Sequence, residues 1–449
     1  MMQETGKATR IQLLDIKTPP MRAFHMAWAS FFLCFFAWFG IAPLMKVVRD
    51  EMGLTQEQVG WCMIGSVAGT IVARAAMGRV CDRVGPRRAY SWLLIVGSLP
   101  VMGIGLAHDF KTFLLFRVLI GVIGAAFVIT QYHTSMMFAS NCIGTANATT
   151  AGWGNMGGGI TQMIMPALYA LLAGTIGLGS YWGWRLAMVL VGLLCLLVGV
   201  AYAFLTQDTP RGNFAELKER GEMPSHTRKQ GGFSLAAKDP RVWALFVLYG
   251  ACFGVELTID NVAALYYSDN FGLSLAGAGA AAGSFGLMHL FARTLGGFTS
   301  DRFGGRWGLK GRVSLLFLTL FAEGLGLIFF SRMTTLGFAV PAMLTFGLFM
   351  KMAEGATYAV VPFVNRRAFG AVAGIVGAGG NAGAVAAGFL FSGVLTWPTA
   401  LLVLGVVVTS ASFLALTVRF STEAEDEAAA EFESAARRRD LPELVVAPA

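Results

Sequence analysis

Long apolar segments recur along the whole sequence, and they limit the possible fold more than any other feature does. We find twelve of them, most with about 20 or more residues and few charges. A helix of ~20 apolar residues crosses the ~30 Å of hydrocarbon in a bilayer. Only 13% of the residues are charged, against about 25% in soluble domains. The sequence therefore predicts an all-α integral membrane protein with twelve transmembrane helices.

The predicted spans are spread evenly along the chain. They lie near 23–47, 57–80, 88–107, 111–138, 145–175, 183–206, 240–268, 273–300, 312–331, 335–361, 368–395 and 398–418. The first span is not followed by a small-residue cleavage site, so we read it as a retained helix rather than a signal peptide. The chain also holds 56 glycines, and small residues let membrane helices approach closely.

Basic residues fall in alternate connections between the spans, after spans two, six, eight and ten. They are Arg79, Arg83, Arg87 and Arg88; Arg211, Lys218, Arg220, Arg228, Lys229 and Lys238; Arg302, Arg306, Lys310 and Arg312; and Arg366 and Arg367. Cytoplasmic loops carry the excess of Lys and Arg in membrane proteins. We therefore expect both termini and the 207–239 connection in the cytoplasm, with the chain in the plasma membrane. The net charge of +8 follows from this bias and requires no nucleic-acid partner.

Motifs of enzymes, metal sites and cofactor sites are missing from the sequence. The six cysteines are scattered and form no C-x-x-C pair, so they indicate neither a metal site nor a disulfide framework. We find no phosphate-binding loop, no zinc-ligand spacing and no Ser-His-Asp order. His133 and His289 stand alone within spans, and we expect them to be structural. The sequence thus predicts that the protein is not an enzyme and needs no cofactor.

An internal repeat divides the chain into two halves. VARAAMGRVCDRVGPRR (72–88) aligns with FARTLGGFTSDRFGGRW (291–307) at a constant offset of 219 residues. The shared positions include Gly78 and Gly297, Asp82 and Asp301, and Arg83 and Arg302. Such repeats are typical of transporters built from two related bundles. We expect a cytoplasmic segment at 1–22, six-helix bundles at 23–206 and 240–418, a linker at 207–239 and a cytoplasmic tail at 419–449.

The repeat also duplicates an arginine inside an apolar span, Arg74 and Arg293. Arg74 precedes Asp82 by eight residues, which is ~12 Å along a helix and places it near the middle of the membrane. A central arginine costs about 2.5–3.5 kcal/mol or more to insert. Both arginines facing a central cavity and binding an anion would explain this cost. Snorkelling to the cytoplasmic face, or pairing with a buried carboxylate, is the alternative.

A second duplicated motif, G-N-x-G, lies in spans five and eleven. AGWGNMGGGITQ (151–162) contains Asn155 and GAGGNAGAVAAG (377–388) contains Asn381. Close helix packing alone explains some of these glycines. It does not require an asparagine in each half, and a small polar substrate would give each amide a partner.

These motifs resemble those of a known transporter family. The repeated G-x-x-x-D-R-x-G-x-R and the stretch RVLIGVIGA (117–125) resemble loop and fourth-helix signatures of the major facilitator superfamily. The two G-N-x-G stretches resemble the nitrate signatures of its nitrate/nitrite porter family, as do FFLCFFAWFGIAPLM (31–45), YGACFGVELTIDN (249–261) and KMAEGATYAVVPFVNRR (351–367). The last two are most similar to high-affinity nitrate transporters.

The resemblance implies roles for individual residues. Arg74 and Arg293 match the pair of arginines that grip the anion, and Phe127 and Phe253 match the aromatic rings that sandwich it. Two further residues, Tyr249 and Asn155, match residues that point into the site, and Asn381 is the repeat partner of Asn155. Arg117 matches the fourth-helix arginine, a coupling or structural element.

Four carboxylates lie within predicted spans, where ionisable residues are functional candidates. They are Glu256, Asp260, Glu323 and Glu354. Glu256 and Asp260 belong to the family stretch ELTIDN, which favours proton-coupled import, with Glu354 and Arg117 as further coupling candidates. Lys351 lies three residues before Glu354, so the two could instead pair on one helix face.

The sequence as a whole predicts a monomeric secondary active transporter that imports nitrate, and also nitrite, by alternating access with protons. We expect the loops 78–88 and 297–306 to latch the cytoplasmic side through aspartate–arginine contacts. Exchange of nitrate for nitrite remains an alternative. So do a porter for another small anion or organic acid, and a membrane sensor on a transporter scaffold with the tail as its output.

Overall fold

The computed structural model describes residues 7–138, 142–222, 232–365, 369–393 and 395–430. Several residues of the predicted basic loops lie outside these ranges: Arg228, Lys229, Arg366 and Arg367. Residues 1–6 and 431–449 of the predicted terminal segments also lie outside them.

Long helices make up the fold, as the sequence predicts. We label the spanning helices α1 (Pro19–Phe39), α2 (Gln56–Val84), α3 (Pro86–Gly103), α4 (Phe110–Met137), α5 (Ile143–Ala170), α6 (Gly179–Leu205), α7 (Pro240–Phe271), α8 (beginning as Leu275–Leu287), α9 (ending at Phe330), α10 (Leu336–Val364), α11 (Phe369–Gly388) and α12 (Trp397–Ser412). In the described residues, eleven stretches are long and apolar enough to cross a membrane. One of them, Leu275–Phe330, is 56 residues long and contains both α8 and α9.

The boundary between α8 and α9 lies at Trp307 and Gly308. Both residues have non-helical backbone angles inside the helical stretch Ala292–Phe330, and Gly308 has φ 64°. A positive φ is readily adopted by glycine, which has no Cβ. With this break, the described helices supply the twelve predicted spans. The 301–311 region, predicted as a loop, is helical on both sides of the break.

Local sequence signals mark where several helices begin. Thr55 and Gln58 form a capping box at the start of α2, and Asp109 and Thr112 form one at the start of α4. The backbone N–H and side chain of Thr112 hydrogen-bond to the Asp109 carboxylate and lower its pKa. Pro86 and Pro240 occupy the first positions of α3 and α7, where the missing N–H has no helical partner to lose.

Glycine contacts bring the two halves together along α5 and α8. A Cβ on Gly159 would lie 2.3 Å from the Cα of Gly286, and a Cβ on Gly279 would lie 2.2 Å from the carbonyl oxygen of Gln162. At the end of the bundle opposite the basic loops, Arg49 binds Asp269 through two hydrogen bonds of 2.6 and 2.9 Å. The described contacts thus join the halves at mid-membrane and at this opposite end.

Substitution of Gly159 by alanine should disturb the contact between the halves. The added methyl group would overlap the backbone of Gly286, and overpacking of this kind costs roughly 1–3 kcal/mol. We expect a melting temperature lower by several degrees in detergent. Gly174→Ala is the matched control, because a Cβ there meets no atom within 4 Å. Equal melting temperatures for the two variants would contradict this account of the interface.

Candidate substrate site

The two repeated arginines lie on equivalent helices of the two halves, Arg74 on α2 and Arg293 on the part of α8 that follows a short 3₁₀ turn. Both side chains are half-buried. Eight residues separate each arginine from the loop aspartate of its half, Asp82 or Asp301. Arg74 and Arg293 therefore lie at corresponding depths in the two bundles.

Arg74 is held by a carbonyl group and two aromatic faces. Its Nε donates to the carbonyl oxygen of Gly124, 3.1 Å away, in a 3₁₀ turn that interrupts α4. Its guanidinium carbon lies 5.2 Å from the ring centre of Phe127 and 5.9 Å from that of Phe253. The Nη2 atom is buried and has no hydrogen-bond partner among the described residues. Arg74 thus retains donors for a ligand.

Arg293 contacts Tyr249 and Glu354. Its Nη2 donates to the Tyr249 hydroxyl at 3.2 Å, and its Nη1 lies 3.2 Å from Oε2 of Glu354. The Tyr249 ring stacks on Phe253, with centroids 5.3 Å apart and planes 11° apart. Since Phe253 also contacts Arg74, a continuous row of side chains connects the two arginines across the halves.

Tyr358 also belongs to this site, although it is not among the site residues predicted from the sequence. It packs edge-on against Tyr249 with centroids 5.2 Å apart, and the Arg293 guanidinium carbon lies 6.0 Å from its ring centre. Its spacing of four residues from Glu354 puts both side chains on one face of α10, a signal already present in KMAEGATYAVV.

The two signature asparagines are buried within their helices. Asn155 is 1% exposed and Asn381 is 0% exposed, and neither amide has a hydrogen-bond partner among the described residues. A buried amide without a partner is costly. A polar ligand at this depth would supply one, although no described contact joins either asparagine to the arginines.

The glycines beside them serve close packing. A Cβ on Gly154 would lie 2.0 Å from the ring of Phe31, and a Cβ on Gly380 would lie 2.4 Å from the ring of Phe253. The predicted packing role of these glycines is therefore confirmed. In the second half, the glycine holds one of the rings that contact Arg74.

A cluster of buried charges lies in the second half, built by α7, α8 and α10. The Lys351 ammonium lies 3.2 Å from Oε2 of Glu256 and 2.9 Å from Nε2 of His289. Ligand atoms of Glu256, Asp260 and His289 lie within 4.8 Å of one another. This spacing would suit a metal ion, but the Lys351 ammonium contacts two of the three groups and supplies the positive charge itself. His289 is thus part of an ionic cluster rather than an isolated structural residue.

The structure rules out the simple Lys351–Glu354 pair on one helix face. Lys351 binds Glu256 on α7, and the carboxylate of Glu354 lies against Arg293. Arg293 thus contacts a buried carboxylate, Glu354, while its other terminal nitrogen contacts Tyr249. No such carboxylate contacts Arg74 among the described residues.

Arg117 and Asp260 lie where the two halves meet. Arg117 donates to the carbonyl oxygen of Trp38 at 3.2 Å and to the side-chain oxygen of Asn261 at 2.9 Å. Gln162 donates to the carbonyl oxygen of Asp260 at 2.6 Å. The Arg117–Asn261 and Gln162–Asp260 hydrogen bonds each connect a helix of the first half with α7.

The predicted latch residues lie at the basic end of the bundle. Asp301 pairs with Arg312 at 2.8 Å, an aspartate–arginine contact within one half, and Arg302 lies over the ring of Phe298. Asp82 and Arg83 are exposed. A Cβ on Gly78 or on Gly297 would meet no atom within 4 Å.

Removal of the Phe127 ring should weaken substrate binding more than folding. Cation–π contacts contribute about 0.5–2 kcal/mol, so Phe127→Ala should raise the KM for an anionic substrate of this site roughly 3- to 30-fold. Phe204→Ala is the control, because Phe204 is 83% exposed on the outer surface of the bundle. An unchanged KM with Phe127→Ala would show that this ring only packs.

Comparisons with known proteins bear on these contacts. Residues 27–364 match the Major Facilitator Superfamily. The chain is 38% identical to "High affinity nitrate transporter 2.5" of Arabidopsis thaliana, covering 86% of this chain and 76% of that protein. It is 37% identical to "Nitrate transporter 2.2" of Chlamydomonas reinhardtii (88% and 78% covered) and 30% identical to "Nitrate/nitrite transporter NrtP" of Picosynechococcus sp. (81% and 83% covered).

Solved structures share the fold at low sequence identity. A bacterial homolog of the human lysosomal transporter Spinster superimposes with a TM-score of 0.68 at 17% identity, covering 95% of this chain and 99% of that one. The xylose transporter XylE from E. coli gives a TM-score of 0.68 at 14% identity, covering 90% and 99%. These likenesses concern the arrangement of helices alone.

Proposed function

Because the chain belongs to the major facilitator superfamily, and within it to the nitrate/nitrite porter family, we propose that it imports nitrate, and also nitrite, in symport with protons. The protein is a membrane transporter and not an enzyme. This membership disfavours the membrane-sensor alternative. The relatives named as nitrate transporters support the choice of substrate.

One structural observation carries the proposal for the substrate. Two guanidinium groups, one from each half, are connected by a row of aromatic rings, and Arg74 retains a buried donor without a partner among the described residues. Nitrate is a flat anion with three equivalent oxygens, and guanidinium is flat, permanently charged and donates in a fork. The rings of Phe127 and Phe253 both lie beside the Arg74 guanidinium, where they would stack on a flat anion. No reacting group is required, since transport breaks no bond.

We propose alternating access around this site. Arg49 of the first half binds Asp269 of the second at the end of the bundle opposite the basic loops. These contacts fit a state that is closed at that end. If the basic loops are cytoplasmic, as their charge indicates, the closed end faces the exterior, and both termini lie in the cytoplasm beneath the plasma membrane. Residues 23–206 and 240–418 then move as two bundles, joined by the linker 207–239, and the loops 78–88 and 297–306 latch the cytoplasmic side in the opposite state. One chain supplies both arginines, so a monomer suffices.

The contact between Arg293 and Glu354 suggests how protons are coupled. Nitrate and the Glu354 carboxylate compete for the same guanidinium group. When nitrate binds Arg293, a proton on Glu354 neutralises the displaced carboxylate. The net charge around Arg293 is then the same in the loaded and empty states, which keeps the cost of moving this site through the membrane low.

Counterflow in liposomes tests the substrate. Purified protein is reconstituted with internal nitrate, and exchange is measured against external nitrate, nitrite, chlorate and formate. We expect rapid exchange with nitrate and nitrite. Exchange with formate as fast as with nitrate would instead favour a general porter for small anions.

A second assay separates symport from exchange. Nitrate accumulation driven by an inward proton gradient, with acid entering together with nitrate, supports symport. Full uptake after collapse of the gradient, with internal nitrite present, would support nitrate/nitrite exchange.

A further inference from the structure

Glu323 on α9 is a buried acid that the binding site does not use. Its side chain is 0% exposed, and neither carboxylate oxygen has a hydrogen-bond partner among the described residues. An ionised carboxylate in such surroundings is strongly disfavoured, and it persists only when it is paired or protonated.

The helices packed against α9 present few charged groups to Glu323. Helix α7 presents the Glu256 carboxyl and the Cys252 thiol, and α10 presents the Lys351 ammonium. Helix α12 packs closely, since a Cβ on Gly324 would overlap Thr409, but Trp397–Ser412 contains no ionisable side chain apart from hydroxyl groups. The only cation facing Glu323 in the described residues is Lys351, which already contacts Glu256 at 3.2 Å.

The buried carboxyl groups of this cluster outnumber the cations that could pair with them. Four buried carboxyl groups stand against two cations: Glu256, Asp260, Glu323 and Glu354 against Lys351 and Arg293. Lys351 contacts Glu256, and Arg293 contacts Glu354. Asp260 lies beside His289 and Glu256, while Glu323 has no ion-pair partner within 4.0 Å in the described part of the chain.

We propose that Glu323 is a proton-binding site of the transport cycle, still occupied in the conformation seen here and emptied toward the cytoplasm before the bundles return to the opposite conformation. The inference rests on the proposed proton-coupled import and adds a site separate from Glu354. The step is a simple equilibrium: an O–H bond forms at the Glu323 carboxyl on loading and breaks on release, and the proton passes to water. Lys351 is the cation of this cluster that stabilises the ionised form after release.

Glu323→Gln tests this site, because glutamine copies the shape of the protonated acid but cannot release a proton. Wild-type and variant proteoliposomes are compared for nitrate counterflow without gradients and for nitrate accumulation driven by an inward proton gradient. We expect counterflow to fall no more than about threefold, while driven accumulation falls well below the wild-type level because only the proton at Glu354 remains coupled to nitrate. The control is Glu57→Gln, an exposed carboxylate at the start of α2, which should accumulate nitrate like the wild type.

The other outcomes are also decisive. Driven accumulation by Glu323→Gln equal to that of the wild type would overturn the proposal. If that variant does not insert, Glu323→Asp moves the carboxyl by one methylene group and should shift the pH midpoint of driven uptake; an unchanged profile would overturn it too. A wild-type protein without nitrate counterflow refutes the proposed substrate. A wild-type protein that shows nitrate counterflow but no accumulation driven by the proton gradient refutes both the proton coupling and the Glu323 site.

Discussion

Arg74→Lys is expected to reduce nitrate counterflow roughly 10- to 100-fold while the protein still inserts and remains monodisperse. The guanidinium of Arg74 uses Nε to bind the carbonyl oxygen of Gly124 and lies over two aromatic rings, which leaves its terminal N–H groups for the anion. The single ammonium of lysine cannot hold this anchor and also present a fork. Hydrogen bonds to charged groups contribute about 1.5–3 kcal/mol each, and 1.4 kcal/mol corresponds to about tenfold in binding.

Arg293→Lys should have an effect of similar size for a related reason. The single ammonium group of lysine could not contact Tyr249, Glu354 and the anion at the same time. Arg332→Lys is the matched control, since Arg332 is exposed at the end of α9 and should transport like the wild type. Normal nitrate affinity in either Arg74→Lys or Arg293→Lys would contradict the site itself. Counterflow and equilibrium binding of nitrate to purified protein both measure this.

The sequence predicts the depth and symmetry of the site because these depend on position along the chain. A constant offset of 219 residues pairs Arg74 with Arg293, and counting residues from the loop aspartates places both in the middle of their helices. The close packing of Gly154 and Gly380 against aromatic rings likewise follows from glycine content and helical spacing. These features depend on local sequence or on the internal repeat, and both can be recognised in a single sequence.

The partners of the charged groups could not be predicted in the same way. Spacing on α10 suggests that Lys351 pairs with Glu354, yet each binds a group on another helix. Which side chains meet across helices depends on the rotation of each helix about its axis, and a single sequence does not specify that rotation. The same limit applies to Tyr358 and to the His289–Lys351 contact, which local sequence patterns do not reveal.

The α8–α9 connection illustrates a different limit. Its polar residues predict a loop, but they form helix up to Trp307 and again after Gly308. Polar composition indicates that a segment leaves the membrane, not that it loses helical structure, because water tolerates helical and irregular backbone alike. The break lies at Gly308, but Gly304, Gly305 and Gly311 stand in the same connection, so glycine content alone does not locate it.

Glu354→Gln is expected to separate nitrate binding from proton coupling. A neutral amide no longer competes as a charge for Arg293, so nitrate should bind about as tightly as in the wild type or more tightly. Uptake driven by an inward proton gradient should fall well below the wild-type level, because the residue that alternates between proton and arginine is gone and only the proton at Glu323 remains coupled. Removing one partner of a buried ion pair leaves the other charge uncompensated. Here the uncompensated charge is the Arg293 guanidinium, which favours nitrate binding.

The pH dependence of nitrate binding gives the independent measurement. Because protonation of Glu354 frees Arg293 in the wild type, nitrate should bind more tightly as the pH falls, and this dependence should be absent or much reduced in Glu354→Gln. Lys351→Gln is the informative comparison: it removes a neighbouring charge on α10 but leaves the contact between Arg293 and Glu354 intact, so the pH dependence of nitrate binding should persist. Driven accumulation by Glu354→Gln at the wild-type level would show that nitrate and this carboxylate do not compete, and the proton would then have to be coupled through another group.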